Sequence, residues 1–174
     1  MMAVDGVKRE PSRKEIIVFI ASKRPWLIPI LYTLYSAGSA DIQELKEILG
    51  VRSTIVKRGL WWLTKYGVVE KSGEKYIVSK DYRPILDEMF LDMCRTRHYY
   101  ILRFGATYLV IVVKKTRITS YTVPVKLVNE LARMEENVGT QFTVIDFAQA
   151  ANIPPKLASR VVRVRRLLLE CKKQ

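Results

Sequence analysis

Residues 40–79 read ADIQELKEILGVRSTIVKRGLWWLTKYGVVEKSGEKYIVS, and this stretch decides the fold that the sequence predicts. Apolar residues recur at helical spacing on both sides of Gly50, which indicates two helices joined by a tight turn. We expect the second of these helices at residues 53–66. The alternating residues that follow predict a β-hairpin with a tight turn at Ser72 and Gly73.

A further helix precedes this stretch, and the three helices share one predicted core. Residues 27–37 carry apolar residues at helical spacing until Gly38 interrupts them. Asp41 is a suitable N-cap for the next helix, whose expected buried face is Ile42, Leu45, Ile48 and Leu49. We expect six side chains of the three helices to meet in a single core: Leu31, Leu45, Leu49, Val56, Leu60 and Leu63.

The order helix, helix, glycine turn, helix, hairpin is typical of a winged helix-turn-helix. Residues 27–80 resemble the DNA-binding domain of winged-helix transcription regulators of archaea and bacteria. The matching residues are Leu45, Leu49, Gly50, Val51, Val56, Leu60, Leu63, Gly67, Val68, Val69 and Gly73. The resemblance implies that the helix at residues 53–66 enters a DNA major groove and that the hairpin forms the wing.

Polar and basic side chains on the outward face of that helix are the candidate DNA contacts. Arginine can bind O6 and N7 of guanine together, while lysine and serine can hold phosphates. The candidates at the helix are Arg52, Ser53, Thr54, Lys57 and Arg58. The wing adds Lys71 and Lys75, which are positioned for the adjacent backbone or minor groove. The alternative is that these basic residues are a solvated face and that the domain docks another protein.

Trp61 and Trp62 depart from the family pattern, in which the equivalent positions are usually charged. Two adjacent tryptophans favour burial. We expect them to pack against the chain's own central strands or against a helix at residues 84–95. The alternative is a homodimer contact, because tryptophan is enriched at interface hot spots.

The C-terminal region resembles a second helix-turn-helix, over residues 140–170. Phe147, Ala148 and Ala151 are the expected inner face of its first helix, followed by Ala158, Val161 and Val162 in the second. Four basic residues recur at helical spacing and form a predicted DNA-contacting stripe: Lys156, Arg160, Arg163 and Arg166. The pattern slips at Arg165, where the family has an apolar residue, and no wing follows. The alternative is a basic amphipathic helix that packs on the domain core.

The central region is rich in β-branched and aromatic residues, which predict three antiparallel strands separated at Gly105 and Lys114. No acidic residue occurs between Met93 and Asn129, whereas seven basic residues do: Arg95, Arg97, Arg103, Lys114, Lys115, Arg117 and Lys126. Aromatic and basic side chains on a sheet can stack unpaired bases. More often such aromatic residues are core, and both interpretations stay open here.

Together these patterns predict an α+β protein with four segments. Residues 1–24 form a basic arm and a short helix, and residues 25–82 form the winged helix-turn-helix. Residues 83–123 supply a linking helix and basic antiparallel strands, and residues 124–174 form the C-terminal helix-turn-helix-like unit.

Charge indicates the class of partner. Thirty Lys and Arg residues against seventeen Asp and Glu residues leave a net charge of +13, and nucleic acid is the commonest intracellular polyanion. We therefore expect double-stranded DNA as the partner and transcription regulation as the role. The alternative role is that of an architectural, replication or RNA-associated factor that binds without sequence specificity. A homodimer is expected.

Neither catalysis nor a cofactor is indicated. No glycine-rich phosphate loop occurs, and the single histidine, His98, has no obvious nucleophile partner in sequence. Two cysteines, Cys94 and Cys171, fit no metal-ligand spacing and favour a reducing compartment over a disulfide framework. Residues 25–40 are almost uncharged, but they are short of the ~20 residues of a bilayer span. We expect a cytoplasmic, nucleoid-associated protein without cofactor or metal, and the composition hints at a thermophile.

Overall fold

The computed structural model describes residues 9–173, so most of the predicted basic arm lies outside the described residues. The chain is an α+β protein, as predicted. Its helices are α1 (Arg13–Lys23), α2 (Ile28–Ala37), α3 (Ile42–Leu49), α4 (Ser53–Lys65), α5 (Arg83–Met89), α6 (Val125–Val138), α7 (Val144–Ala151) and α8 (Pro155–Lys172). Its strands are β1 (Ser39–Ala40), β2 (Val69–Ser72), β3 (Lys75–Val78), β4 (Cys94–Arg95), β5 (Tyr99–Phe104), β6 (Thr107–Val113) and β7 (Ile118–Pro124).

A small antiparallel sheet ties the hairpin to the first three-helix unit. β1 lies between α2 and α3 and pairs with β3, so the sheet order is β1-β3-β2. Ser72 pairs with Lys75, which moves the hairpin turn one residue beyond the predicted place, to Gly73 and Glu74. Gly73 has φ +65°, a conformation that favours glycine.

α3 begins where the sequence predicts. The Glu44 amide donates to Asp41 Oδ1 at 2.7 Å, and the Asp41 amide donates to Glu44 Oε1 at 3.1 Å, which completes a capping box. The expectation for Ile48 is wrong, because its side chain is 45% exposed. Leu45 and Leu49 are buried in the core and Ile42 packs against it partly buried, so the inward face of this helix does not extend to Ile48.

The first hydrophobic core contains all six side chains predicted for it, none more than 8% exposed. α2 is apolar almost all round, as expected of a helix surrounded by protein. α4 approaches α2 closely at Gly59, where any Cβ would collide with the Ile30 side chain. This close approach holds α4 with one face in the core and the other face outward.

A four-stranded antiparallel sheet, β4-β5-β6-β7, forms the centre of the molecule. The three predicted strands are confirmed, and the two-residue β4 is an addition. Side chains alternate between two faces. Tyr100, Leu102 and Ile111 point into the first core, whereas Ile101 and Val110 point into a second core.

The second core joins the central sheet to α6, α7 and α8. The predicted inward residues Phe147, Ala158, Val161 and Val162 are no more than 3% exposed. Tyr100 is 2% exposed in the first core, whereas Tyr99, Phe104, Tyr108 and Tyr121 are partly buried and pack against the two cores. These contacts favour a packing role for the aromatic residues over an open stacking platform for bases.

A disulfide joins Cys94 in β4 to Cys171 in α8. The sequence spacing does not indicate it, since the two cysteines are 77 residues apart and meet only because α8 crosses β4. A disulfide conflicts with a reducing compartment in most organisms. The two are compatible in hyperthermophiles, whose intracellular proteins are disulfide-rich.

The uncharged segment at residues 25–40 is part of the first core, where Leu27, Ile28, Ile30, Leu31 and Leu34 are fully buried. Within residues 9–173, no single helix has the length and apolar character to cross a membrane. By length and composition alone, α1 and the segment Pro25–Ala37 would qualify together, but they are bent by 103° at their junction.

Leu60→Ala should lower the free energy of unfolding by about 2–5 kcal/mol, because Leu60 is 2% exposed and a cavity would remain. Leu91→Ala is the matched control, since Leu91 is 79% exposed and its truncation should cost less than about 0.5 kcal/mol. Urea denaturation followed by circular dichroism measures both. Equal losses in the two variants would contradict the assignment of the α4 core face.

Removal of the disulfide by Cys94→Ser with Cys171→Ser should destabilise the fold by about 2–4 kcal/mol, because the bridge closes a long loop in the unfolded chain. A reducing agent should lower the melting temperature of the wild type and leave that of the double variant unchanged. Reaction of both cysteines with a thiol reagent in the unfolded, unreduced wild type would show that the bridge does not form.

Candidate nucleic-acid interface

The outward face of α4 presents most of the predicted contacts to solvent. Arg52, Thr54, Lys57 and Arg58 are exposed, and Ser53 is half-buried. None of the three basic residues takes part in an ion pair within residues 9–173. The helix is anchored by the opposite face, so these charges project from a rigid element.

The hairpin β2–β3 adds two exposed lysines, and both lie beside α3. Lys75 Nζ lies 3.5 Å from Glu44 Oε1, an exposed ion pair that partly neutralises it. Lys71 Nζ lies 5.9 Å from the centroid of the Tyr76 ring. Lys71 is therefore the less neutralised of the two predicted wing contacts.

A turn of the central sheet lies beside the start of α4, a neighbour that sequence reasoning missed. The Arg52 amide donates to the carbonyl oxygen of Lys115 at 2.9 Å. A cleft of about 530 Å³ separates this turn from α3 and the first turn of α4. The absence of acidic residues between Met93 and Asn129 marks these lysines as unusual, but nothing in the pattern indicates that they would lie beside α4.

The predicted stripe on α8 is exposed at Lys156, Arg163 and Arg166 and half-buried at Arg160. Two of its members contact the central sheet. The Arg160 guanidinium carbon lies 4.5 Å from the centroid of the Tyr121 ring, and Arg163 Nη1 donates to the Tyr99 hydroxyl at 3.1 Å. The stripe therefore serves partly as packing, the alternative that the sequence left open.

Arginines of α8 are accommodated against the sheet and α6 by two neighbours, Tyr121 and Glu135. Burial raises the pKa of the Tyr121 phenol, against the opposing effect of nearby Arg163 and Arg160, so the phenol stays protonated at neutral pH. Arg165, at the point where the family pattern slips, has Nε 3.7 Å from Glu135 Oε1 on α6. Arg165 therefore pairs with α6 at the position where the sequence pattern predicts an apolar residue.

The two tryptophans have different surroundings. Trp62 is half-buried between the Arg24 guanidinium, 3.7 Å from its ring centroid, and the stacked Tyr66 ring, 5.7 Å away. Trp61 is 57% exposed and lies about one helical turn after Arg58, on the same outward face. The expectation that Trp61 and Trp62 pack against the central strands or α5 is wrong, because Trp61 is exposed and Trp62 packs against Arg24 and Tyr66 instead.

Exposed aromatic and aliphatic side chains continue from Trp61 to α1. The rings of Trp61, Trp62, Tyr66 and Phe19 follow one another at centroid distances of 4.9, 5.7 and 6.1 Å. Phe19 and Val18 are 45% and 42% exposed. This row, defined by Phe19, Tyr66, Trp62 and Trp61, is the main apolar feature beside the basic face of α4.

The chain as described, residues 9–173, contains no group of three or more His, Cys, Asp or Glu side chains arranged to hold a metal ion. No protein-family model, curated protein or solved structure matches the chain.

Proposed function

We propose that this protein binds double-stranded DNA with α4 and the hairpin β2–β3 and regulates transcription from the bound site. The observation that carries the proposal is the outward face of α4. Thr54, Lys57 and Arg58 are exposed there, while the opposite face is anchored in a core by Val56, Leu60 and Leu63. A rigid helix with free donors is what reading of base edges requires.

The sequence resemblance to winged-helix regulators supports this proposal, together with the order of the elements from α2 to β3. The net charge of +13 supports a polyanionic partner and a phosphate contribution to affinity. Lys71 on β2 is exposed beside the start of α3, so it is available for a DNA backbone next to the bound groove. We also propose a cytoplasmic, nucleoid-associated location, which a DNA-binding role requires.

A second candidate function is docking of another protein, and the exposure of Trp61 favours it. A 57% exposed tryptophan next to Arg58 is suited to a protein partner as well as to DNA. Both functions would use the same face of α4. The sequence dependence of DNA binding separates them, because a docking surface has no reason to prefer one base sequence.

Lys57→Ala and Arg58→Ala should each weaken binding to the preferred DNA site by about 1–3 kcal/mol. The loss of binding free energy on random duplex DNA should be far smaller. The preferred site is first obtained by selection from random duplexes, and affinities are measured by fluorescence anisotropy at one stated salt concentration. Lys126→Ala is the control, since it removes the same charge from an exposed position on α6.

If the Lys57 and Arg58 variants retain both affinity and sequence preference, α4 does not read bases and the regulator proposal fails. Enrichment of no motif in the selection, with tight binding preserved, would instead indicate an architectural factor.

We propose, in addition, that two copies associate through the aromatic row at the C-terminal half of α4, which leaves the N-terminal half with Lys57 and Arg58 free for DNA. Sedimentation equilibrium should show a dimer at micromolar concentration, and Trp61→Ser should shift it to monomer, because the exposed ring supplies apolar contact area. Added salt should favour the dimer, since each copy carries +13. A strict monomer in the wild type would remove the expectation of a palindromic site with half-sites ~34 Å apart.

A further inference from the structure

The turn between β6 and β7 is a compact basic projection. Residues 114–117 read KKTR and are all exposed. The Lys114 amide donates to the Arg117 carbonyl at 2.9 Å, and the Arg117 amide donates back at 3.3 Å, which closes the turn. The side chains of Lys114, Lys115 and Arg117 are in no ion pair within residues 9–173.

The turn is fixed relative to α4 by main-chain contact. The Arg52 amide, at the start of α4, donates to the Lys115 carbonyl at 2.9 Å. Both partners are backbone groups, so the position of the turn does not depend on its lysine side chains. Lys46 and Glu47 of α3 face the turn across the cleft, and Glu47 supplies the one carboxylate that lines it.

A second exposed segment continues the basic surface away from α4. The Val113 amide donates to the His98 carbonyl at 2.8 Å, which holds residues 96–98 against the end of β6. Arg97 and His98 are exposed, and they border a groove of about 620 Å³ together with Lys114 and Lys115. Glu47 is again the carboxylate that lines this groove, and Ile48 is exposed within it.

The surface then reaches α8, the other predicted DNA-contacting element. Tyr99 lines the same groove, and its hydroxyl accepts the hydrogen bond from Arg163 Nη1. The basic surface thus runs from α4 past Lys115 and Tyr99 to Arg163 on α8.

We infer that the turn at residues 114–117 and Arg97 form a phosphate-binding bridge that joins the α4 and α8 basic surfaces into one continuous DNA-backbone track. The inference rests on the proposed function, because it names additional contacts to the same duplex. Lysines on a turn beside the reading helix are mobile point charges, which suit phosphate oxygens rather than base edges. The bridge therefore adds affinity equally for every sequence.

The test compares two double variants that remove equal charge from opposite ends of the central sheet. Lys114→Ala with Lys115→Ala removes two of the four cations of the bridge, and Arg117 and Arg97 remain. Arg103→Ala with Lys126→Ala is the control, because Arg103 pairs with Tyr108 and Lys126 follows the Pro124 end of β7, both at the far end from the turn. Lys114→Arg with Lys115→Arg changes both side chains and keeps their charge, so it separates the effect of charge from that of the substitution itself. Thermal melts of every variant check that the fold is retained.

The bridge variant should bind about tenfold more weakly at ~0.15 M salt to both the preferred and a random 24-base-pair duplex. The slope of log K against log salt should fall by about two, because two phosphates are no longer neutralised by lysine. The Arg103 and Lys126 control should change neither quantity by more than about twofold, and the arginine variant should bind as the wild type does.

Two failures are distinguishable. If the wild type binds duplex DNA and the bridge and control variants behave alike, the bridge is wrong while the proposed function stands. If the wild type does not bind duplex DNA at low salt, the proposed function fails and the bridge with it. A weakening confined to the preferred sequence would also overturn the bridge, because phosphate contacts cannot distinguish sequences.

Discussion

Strand β6 of the central sheet is apolar on both faces, and the rest of the molecule depends on that constraint. The run TYLVIVV in β6 has no polar face, so water must be excluded from both sides. Val110 and Ile111, adjacent in sequence, are both fully buried in different cores. The N-terminal unit covers one face and α6 to α8 cover the other, so neither helical part could be removed without exposing a strand face.

Docking of the N-terminal unit on the sheet has a direct consequence for the candidate interface. The Tyr32 ring of α2 contacts the ring of Phe90, at the end of α5, and the ring of Tyr100 on β5, with centroid distances of 5.1 and 6.0 Å. This contact sets the position of α2 against the sheet, and Gly59 sets α4 against α2. The end of β6 then lies beside the start of α4, where the Arg52 amide finds its acceptor. The position of the basic turn on the surface is thus set by core packing.

The same docking decides how the arginines of α8 are used. The helix packs over the sheet, so Arg160 and Arg163 lie against Tyr121 and Tyr99, while Lys156 and Arg166 stay exposed. Long basic side chains can cover aromatic rings with their stems and keep their charge near water. Packing and phosphate binding are therefore compatible at this surface. The disulfide from α8 to β4 fixes the helix over the sheet covalently.

Local features of the fold followed from the sequence alone. Helical spacing, the Asp41 cap and the glycine stops place α2, α3 and α4, and alternation places the strands, because these signals act between residues close in the chain. The solvated face of α4 also follows, once its apolar face is known. The sequence could not show that Ile48 and Trp61 would be exposed, or that Cys94 would meet Cys171. Nor could it show that residues 114–117 would lie beside Arg52. Each depends on which surfaces meet across the central sheet, and contacts between residues distant in the chain leave no periodic signal in it.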